Sequence, residues 1–390
     1  MDSISKTVDK QTNTLGSVSA VKFSEILEFG GIYQINHDLF LLFTGLLVPS
    51  NKTFNDLTDR FVFYQPRFWD ILQNNSQGLF HEQWHSKEEF IISRTELAEL
   101  ISRSLGGGLG GDFSGFQIQG DIEGQKDDFK NQFDWSQAQF QNKKLLKTVP
   151  MTNFKFEVNE SISVIQILKN ILILNSKDTS IYGQWNKEKG FIGMSPETLG
   201  LWSYEPNQMF STMALAGTWG HQAQIENYNQ VDLKTKNEHQ IVVDDITERL
   251  KFQKRFFKEE THIVKLPHLS HLKTNLHCRV DDAEKALRLI SDLHPTAALG
   301  IFPRNAEMNL QFSGFDAQKN RQHFGAPWVM MNKNFCKSIV TIRQLQWDKE
   351  KIQIPVGCGI TFESQFGLEW QELITKRNSV IKYLGIDQIS

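Results

Sequence analysis

The chain has 390 residues, enough for one large hydrophobic core or two ordinary domains. Its 42 basic and 45 acidic residues leave a net charge of −3, which removes any electrostatic case for nucleic acid or an acidic membrane surface as partner. The three cysteines, Cys278, Cys336 and Cys358, are far apart and form no CxxC pair, which argues against a zinc or disulfide framework and for a reducing compartment.

Residues 1–20 are rich in Ser, Thr, Lys and Gln and are expected to form a mobile arm, with 21–390 as a single domain. This N-terminal stretch lacks a basic segment followed by an apolar one, so no secretory signal is expected. Between about 21 and 100, short β-like runs at 31–35 and 60–64 alternate with polar turns. The glycine-rich run at 106–111 lacks the Gly-Lys-Ser/Thr ending of a phosphate loop and reads as a surface loop. A helical pattern covers 126–146, an extended one 147–157, and helical apolar spacing returns at 162–174. Strand-like segments surround Phe191 and Met213, and a long helix is expected over about 226–256. The apolar runs at 39–48 and 162–174 are too short or too interrupted to cross a bilayer, so a soluble, cytoplasmic protein is expected. The absence of strict βαβ alternation and of GxGxxG argues against a nucleotide-binding Rossmann fold, and no short-period repeat or Pro/Ser-rich linker divides the second half.

The last forty residues carry the densest chemistry. Gly357-Cys358-Gly359-Ile360 follows a strand-like run, and Glu369-Trp370-Gln371-Glu372 precedes Lys376. On a helix, Glu369, Glu372 and Lys376 share a face at i, i+3 and i+7. Carboxylates suit a hard divalent cation, whereas an ammonium and bare glycine amides suit a carboxylate ligand. On spacing alone, a solvated helix face with a weak ion pair is the simpler reading. The same holds elsewhere when segments are taken singly. Lys147 follows Lys143 and Lys144 as a surface lysine would, Ser195-Pro196 before Glu197 favours a turn, and Arg343 suits a sheet-edge ion pair.

Taken together, these segments resemble the chorismate-binding enzymes, the family of isochorismate, salicylate, anthranilate and aminodeoxychorismate synthases. The closing segment is similar to the family's Gly-Ala-Gly-Ile, Glu-Trp-x-Glu and Lys, with Cys358 in place of alanine. Gly193-Met194-Ser195-Pro196-Glu197 resembles Gly-Ala-Ser-Pro-Glu, and Leu215-Ala216-Gly217-Thr218 resembles Leu-Ala-Gly-Thr. Lys234 to His239 looks like Lys-Asp-x-x-Glu-His, with Thr235 for the aspartate. Leu293-His294-Pro295-Thr296-Ala297-Ala298 and Thr341-Ile342-Arg343 are similar to Leu-His-Pro-Thr-Pro-Ala and Thr-Ile-Arg. Around Lys147, Pro150 departs from the family's commoner leucine.

The resemblance is clearest over 126–385 and implies an α/β (α+β) fold like that of anthranilate synthase component I. That fold is a sandwich of two large, mostly antiparallel sheets with flanking helices and the site between the sheets. It implies a Mg²⁺-dependent isochorismate synthase, an isomerase in menaquinone or siderophore biosynthesis, with chorismate as substrate and a downstream pathway enzyme as a candidate partner. Lys147 is then the base that activates water for C2, in place of the glutamine of ammonia-using relatives. Glu197 is the acid that protonates the leaving C4 hydroxyl. Gly217, Thr218, Ala298, Leu299, Arg343, Gly357, Gly359 and Lys376 bind substrate. Glu238 and Glu372 hold Mg²⁺, for which this oxygen-rich set is better suited than for zinc despite His239. Ala216 stands where lysine-nucleophile aminodeoxychorismate synthases place their lysine, so a covalent route is closed. Salicylate synthase is the nearest rival, followed by an anthranilate synthase component I-like enzyme and an inactive binding relative.

Overall fold

The computed structural model describes residues 18–50, 60–73, 80, 82–107, 118–120, 125–158, 162–220, 224–266, 269–349 and 351–385. Residues 1–17 of the expected arm and the glycine-rich run beyond Gly107 lie outside the described residues. The last three arm residues belong to the fold. Val18 is buried, and the Ser19 side chain accepts the Lys22 amide to cap a helix over Ala20–Glu28.

Among the described residues two sheets form, and all their pairings are antiparallel. The first runs in the order Glu88–Ser93, Leu39–Thr44, Gly30–Gln34, Ser180–Trp185, Lys189–Ser195, Gln344–Asp348, Lys351–Gly357, Met151–Val158, Ile118–Gln119. The second runs Phe257–Lys258, Leu269–Arg279, Met209–Gly220, Thr198–Ser203, Phe335–Val340, Pro327–Asn332, Val62–Tyr64, Gln83–His85, Val48–Ser50, and His262–Lys265 also pairs with Leu269–Arg279. Tyr33, Phe43 and Tyr182 of the first sheet pack with Phe63, Trp328 and Ile339 of the second, and this forms the core of the sandwich. The opposite face of each sheet is covered by helices, those over Lys126–Gln141, Val164–Leu174 and Phe366–Ile381 on the first and those over Leu233–Leu250 and Ala283–Leu293 on the second. This is the expected two-sheet sandwich with flanking helices.

Two helices are shorter than their patterns suggest. The helix expected over 126–146 ends at Gln141, because Lys143 adopts a left-handed φ of 55° and turns the chain toward the site. The helix expected over about 226–256 spans Leu233–Leu250. Asp232 starts it by accepting the Thr235 amide at 2.9 Å, and the polar residues before it make only a single 3-10 turn at Tyr228–Gln230. No helix among the described residues is long and apolar enough to cross a membrane.

Candidate active site

The site forms where the chain passes from one sheet to the other. Glu197 occupies the step from Lys189–Ser195 in the first sheet to Thr198–Ser203 in the second. Arg343 occupies the return step between Phe335–Val340 and Gln344–Asp348, with a left-handed φ of 55°. The two crossings are tied together, since Val340 N donates to Glu197 O at 3.0 Å and Met194 N donates to Arg343 O at 3.2 Å. The turn expected at Ser195-Pro196 is present, with the Ser195 hydroxyl accepting the Glu197 amide at 3.2 Å.

Lys147 sits on a short bridge rather than in a long strand. Its backbone exchanges two hydrogen bonds with Phe302, and Thr148 exchanges two with Ile360. Pro150 fits this arrangement without loss, because only its carbonyl is needed and it accepts the Cys358 amide at 3.2 Å. The Lys147 side chain is 1% exposed. Its Nζ donates to Ala297 O at 2.9 Å and lies 3.2 Å from Glu238 Oε1.

A cleft opens between these elements. The two sheets contribute Glu197, Gly217, Thr218, Arg343 and Gly357 from their strands and crossings, and the bridged segments beside them contribute Lys147 and Gly359. The Leu233–Leu250 helix contributes Glu238, the segment after the Ala283–Leu293 helix contributes Ala298 and Leu299, and the Phe366–Ile381 helix contributes Glu372 and Lys376. All of the residues expected at the site from the sequence therefore line one cleft. Two glycines are there because space demands it. A Cβ on Gly359 would lie 2.7 Å from Lys147 Cε and would collide with Glu238 Oε1. Gly217 has a φ of +73°, and a Cβ there would lie 2.7 Å from Cγ2 of Thr235.

Charge is densely paired in this cleft. Lys376 Nζ lies 2.6 Å from Glu372 Oε1 and donates to Gly357 O at 2.9 Å. Arg343 Nη1 donates to Ser379 Oγ at 2.9 Å, which leaves other guanidinium donors for an anion. Burial pushes the Glu197 carboxyl up to about 8, against the opposing pull of Lys147 and Lys376, so it carries a proton at neutral pH.

Each of the two cleft carboxylates, Glu238 and Glu372, is thus paired with a lysine ammonium. A profile of the family described as chorismate binding enzyme matches residues 112–385. The chain belongs to that family. Among curated relatives, the salicylate biosynthesis isochorismate synthase of Pseudomonas aeruginosa is 26% identical over 231 residues. That alignment covers 56% of this chain and 48% of the relative, so the chain spans about half the length of that protein. The menaquinone-specific isochorismate synthase MenF from Escherichia coli has the same fold, with a TM-score of 0.69 at 17% identity, covering 96% of this chain and 91% of the other. Anthranilate synthase component I from Streptococcus pneumoniae shares the fold at a TM-score of 0.61 and 14% identity, covering 90% of each chain.

One group lining this cleft escaped the sequence reading. His271 lines the cleft. Its Nδ1 pairs with Thr218 Oγ1 at 3.1 Å, and its buried Nε2 has no hydrogen-bond partner among the described residues. Burial, together with Arg343 and Lys376, pulls its pKa well down and keeps the ring neutral. The signal that could have found it is register: Thr218 and His271 are cross-strand partners, a relation invisible before pairing. Glu369, read from spacing as one of two carboxylates that would suit a divalent cation, does not line the cleft. It is buried and pairs with Lys234 Nζ at 2.8 Å, which joins the two site helices, and burial and Glu372 raise its pKa.

The carboxylates fit a hard cation. Glu238 and Glu372 both present oxygen to the cleft, and among the described residues no three His, Cys, Asp or Glu side chains converge as a ready-made cage. Each is also engaged by an ammonium, Glu238 by Lys147 and Glu372 by Lys376.

Proposed function

We propose that the chain is a Mg²⁺-dependent isochorismate synthase that converts chorismate to isochorismate. The observation that carries this reading is the placing of Lys147 and Glu197 in one cleft, with Glu197 holding its proton near neutral pH. Isochorismate synthases among its relatives and fold neighbours support it.

In the proposed reaction Arg343, Lys376 and the amides around Gly357 and Gly359 hold the enolpyruvyl side of the substrate. Mg²⁺, held by Glu238 and Glu372, would supply charge neutralisation for the ring carboxylate. Lys147 takes a proton from water as its oxygen adds at C2. The ring double bonds shift, and Glu197 gives its proton to the C4 hydroxyl, which leaves as water. One water enters and one departs, so no redox partner is needed. Ala216, Ala298 and Leu299 line the cleft without offering a nucleophile.

Chromatography of the products from chorismate and Mg²⁺, with and without ammonium, tests the proposal. Isochorismate formed without ammonium is expected. Salicylate with pyruvate would move the assignment to a salicylate synthase, and product only with ammonium would overturn the role of Lys147. Chelation with EDTA should abolish turnover, and added Mg²⁺ should restore it; full activity in EDTA would remove the metal from the proposal.

A further inference from the structure

The backbone of Ala297, which Lys147 touches, is held from behind by a half-buried ion pair that the proposed reaction does not use. Lys147 Nζ donates to the carbonyl of Ala297, and the amide of the same residue donates to Asp245 Oδ2 at 2.8 Å. Asp245 is 2% exposed and receives Arg304 Nε and Nη2, each at 3.2 Å. Arg304 is anchored in turn by the carbonyls of Leu293 at 2.7 Å and Asp292 at 2.9 Å. Neither Asp245 nor Arg304 lines the cleft.

Asp245 lies two helical turns beyond Glu238 on the same face of the Leu233–Leu250 helix. One helix thus meets the lysine twice, directly through Glu238 and indirectly through the Ala297 backbone. The Ala297 N–H and C=O lie in adjacent peptide units joined at one Cα, so a carboxylate that holds the N–H fixes where the C=O that meets the lysine sits. Fixing one Nζ–H on that carbonyl also fixes where the remaining Nζ positions point. A buried ion pair is weak evidence of a stability role, because an apolar pair of the same volume serves stability as well.

We propose that Asp245, backed by Arg304, is a positioning residue that aims Lys147 at the attacking water by fixing the Ala297 backbone. The inference rests on Lys147 being the base of the proposed reaction. Asp245→Asn keeps the volume but cannot accept from both the Ala297 amide and Arg304 as a carboxylate does. It should lower kcat about 10–100-fold, the scale of a small misplacement of a reacting group, while KM for chorismate stays within about threefold. Arg304→Lys keeps the charge and one contact, so it should lose less than Arg304→Gln. In a Lys147→Ala background Asp245→Asn should cost nothing further.

Unchanged kcat in a folded Asp245→Asn protein would overturn the proposal. So would a KM for chorismate that rises by as much as kcat falls, or losses that add to those of Lys147→Ala. Should Asp245→Asn fail to fold, the ordering of the two Arg304 variants decides the matter, and equal kcat in both would overturn it. An active Lys147→Ala protein would sink the assignment of the base itself, whereas an inactive one alongside a normal Asp245→Asn protein would sink only this inference.

Discussion

Two lysines of this chain are buried to nearly the same degree and do different work. Lys147 is 1% exposed, and Lys337, on the Phe335–Val340 strand, is 5% exposed. Lys337 Nζ donates to Gln34 O, Ile35 O and Ser180 Oγ at 2.8, 3.2 and 3.0 Å, so all three of its protons tie the second sheet to the first. Burial pulls its pKa down to about 7, yet it does not line the cleft. Lys147 spends one bond on Ala297, faces Glu238, and presents the rest of its head to the cleft. A lysine with every proton engaged is a tie. One with unused capacity beside a cavity can exchange a proton with a bound water. Burial and a lowered pKa therefore do not by themselves mark a catalytic lysine; access to a ligand does.

The sharpest way to break this contrast is to remove each ammonium. Lys147→Ala should reduce turnover by about 10³-fold while chorismate still binds, and near-normal turnover would end its role as base. Gly359→Ala should follow, with loss of about 10²-fold or more in kcat/KM and an unaltered circular dichroism spectrum. Its new methyl would be driven into the Lys147–Glu238 pair. Glu197→Gln should lower kcat about 10²-fold, because the amide cannot give up a proton as the acid does. The wild-type kcat should also fall above about pH 8 as Glu197 loses the proton it must donate, and an unchanged profile would remove it from that step.

Lys337→Met marks the small end of the series for activity, with kcat within about threefold of wild type. It should instead cost ~2–4 kcal/mol of stability by leaving Gln34 O and Ile35 O unpaired between the sheets. Its pH signature follows from the lowered native pKa. Between about 7 and the ordinary value of 10.5 the unfolded chain binds more protons than the native one, so this group makes stability rise with pH across that window. Urea titrations of wild type and Lys337→Met from pH 7 to 9 should diverge in that direction. Parallel curves would mean that Lys337 does not titrate there.

Much of the site could be read from local motifs. Ser195-Pro196 makes the expected turn before Glu197, and Glu372 and Lys376 share a helix face as their spacing demands. The edges of helices were less legible: Asp232 rather than residue 226 begins the helix that carries Glu238, because a capping carboxylate outweighs continuing polarity. His271 had no motif to announce it. Its place in the cleft depends on the register of two strands whose paired residues, Thr218 and His271, lie 53 positions apart.

The sequence by itself determined which segments become strands or helices, where glycine is needed, and which charged residues sit on short recurring motifs. Those choices are made by alternation, capping and turn chemistry, which act over a few residues. Only the tertiary structure decided what the buried charges do. The Lys147–Ala297 bond spans 150 positions and the Lys337–Gln34 bond spans 303. Whether an ammonium meets a cleft or three sealing acceptors is settled by how the two sheets close on each other, and local sequence carries no term for that.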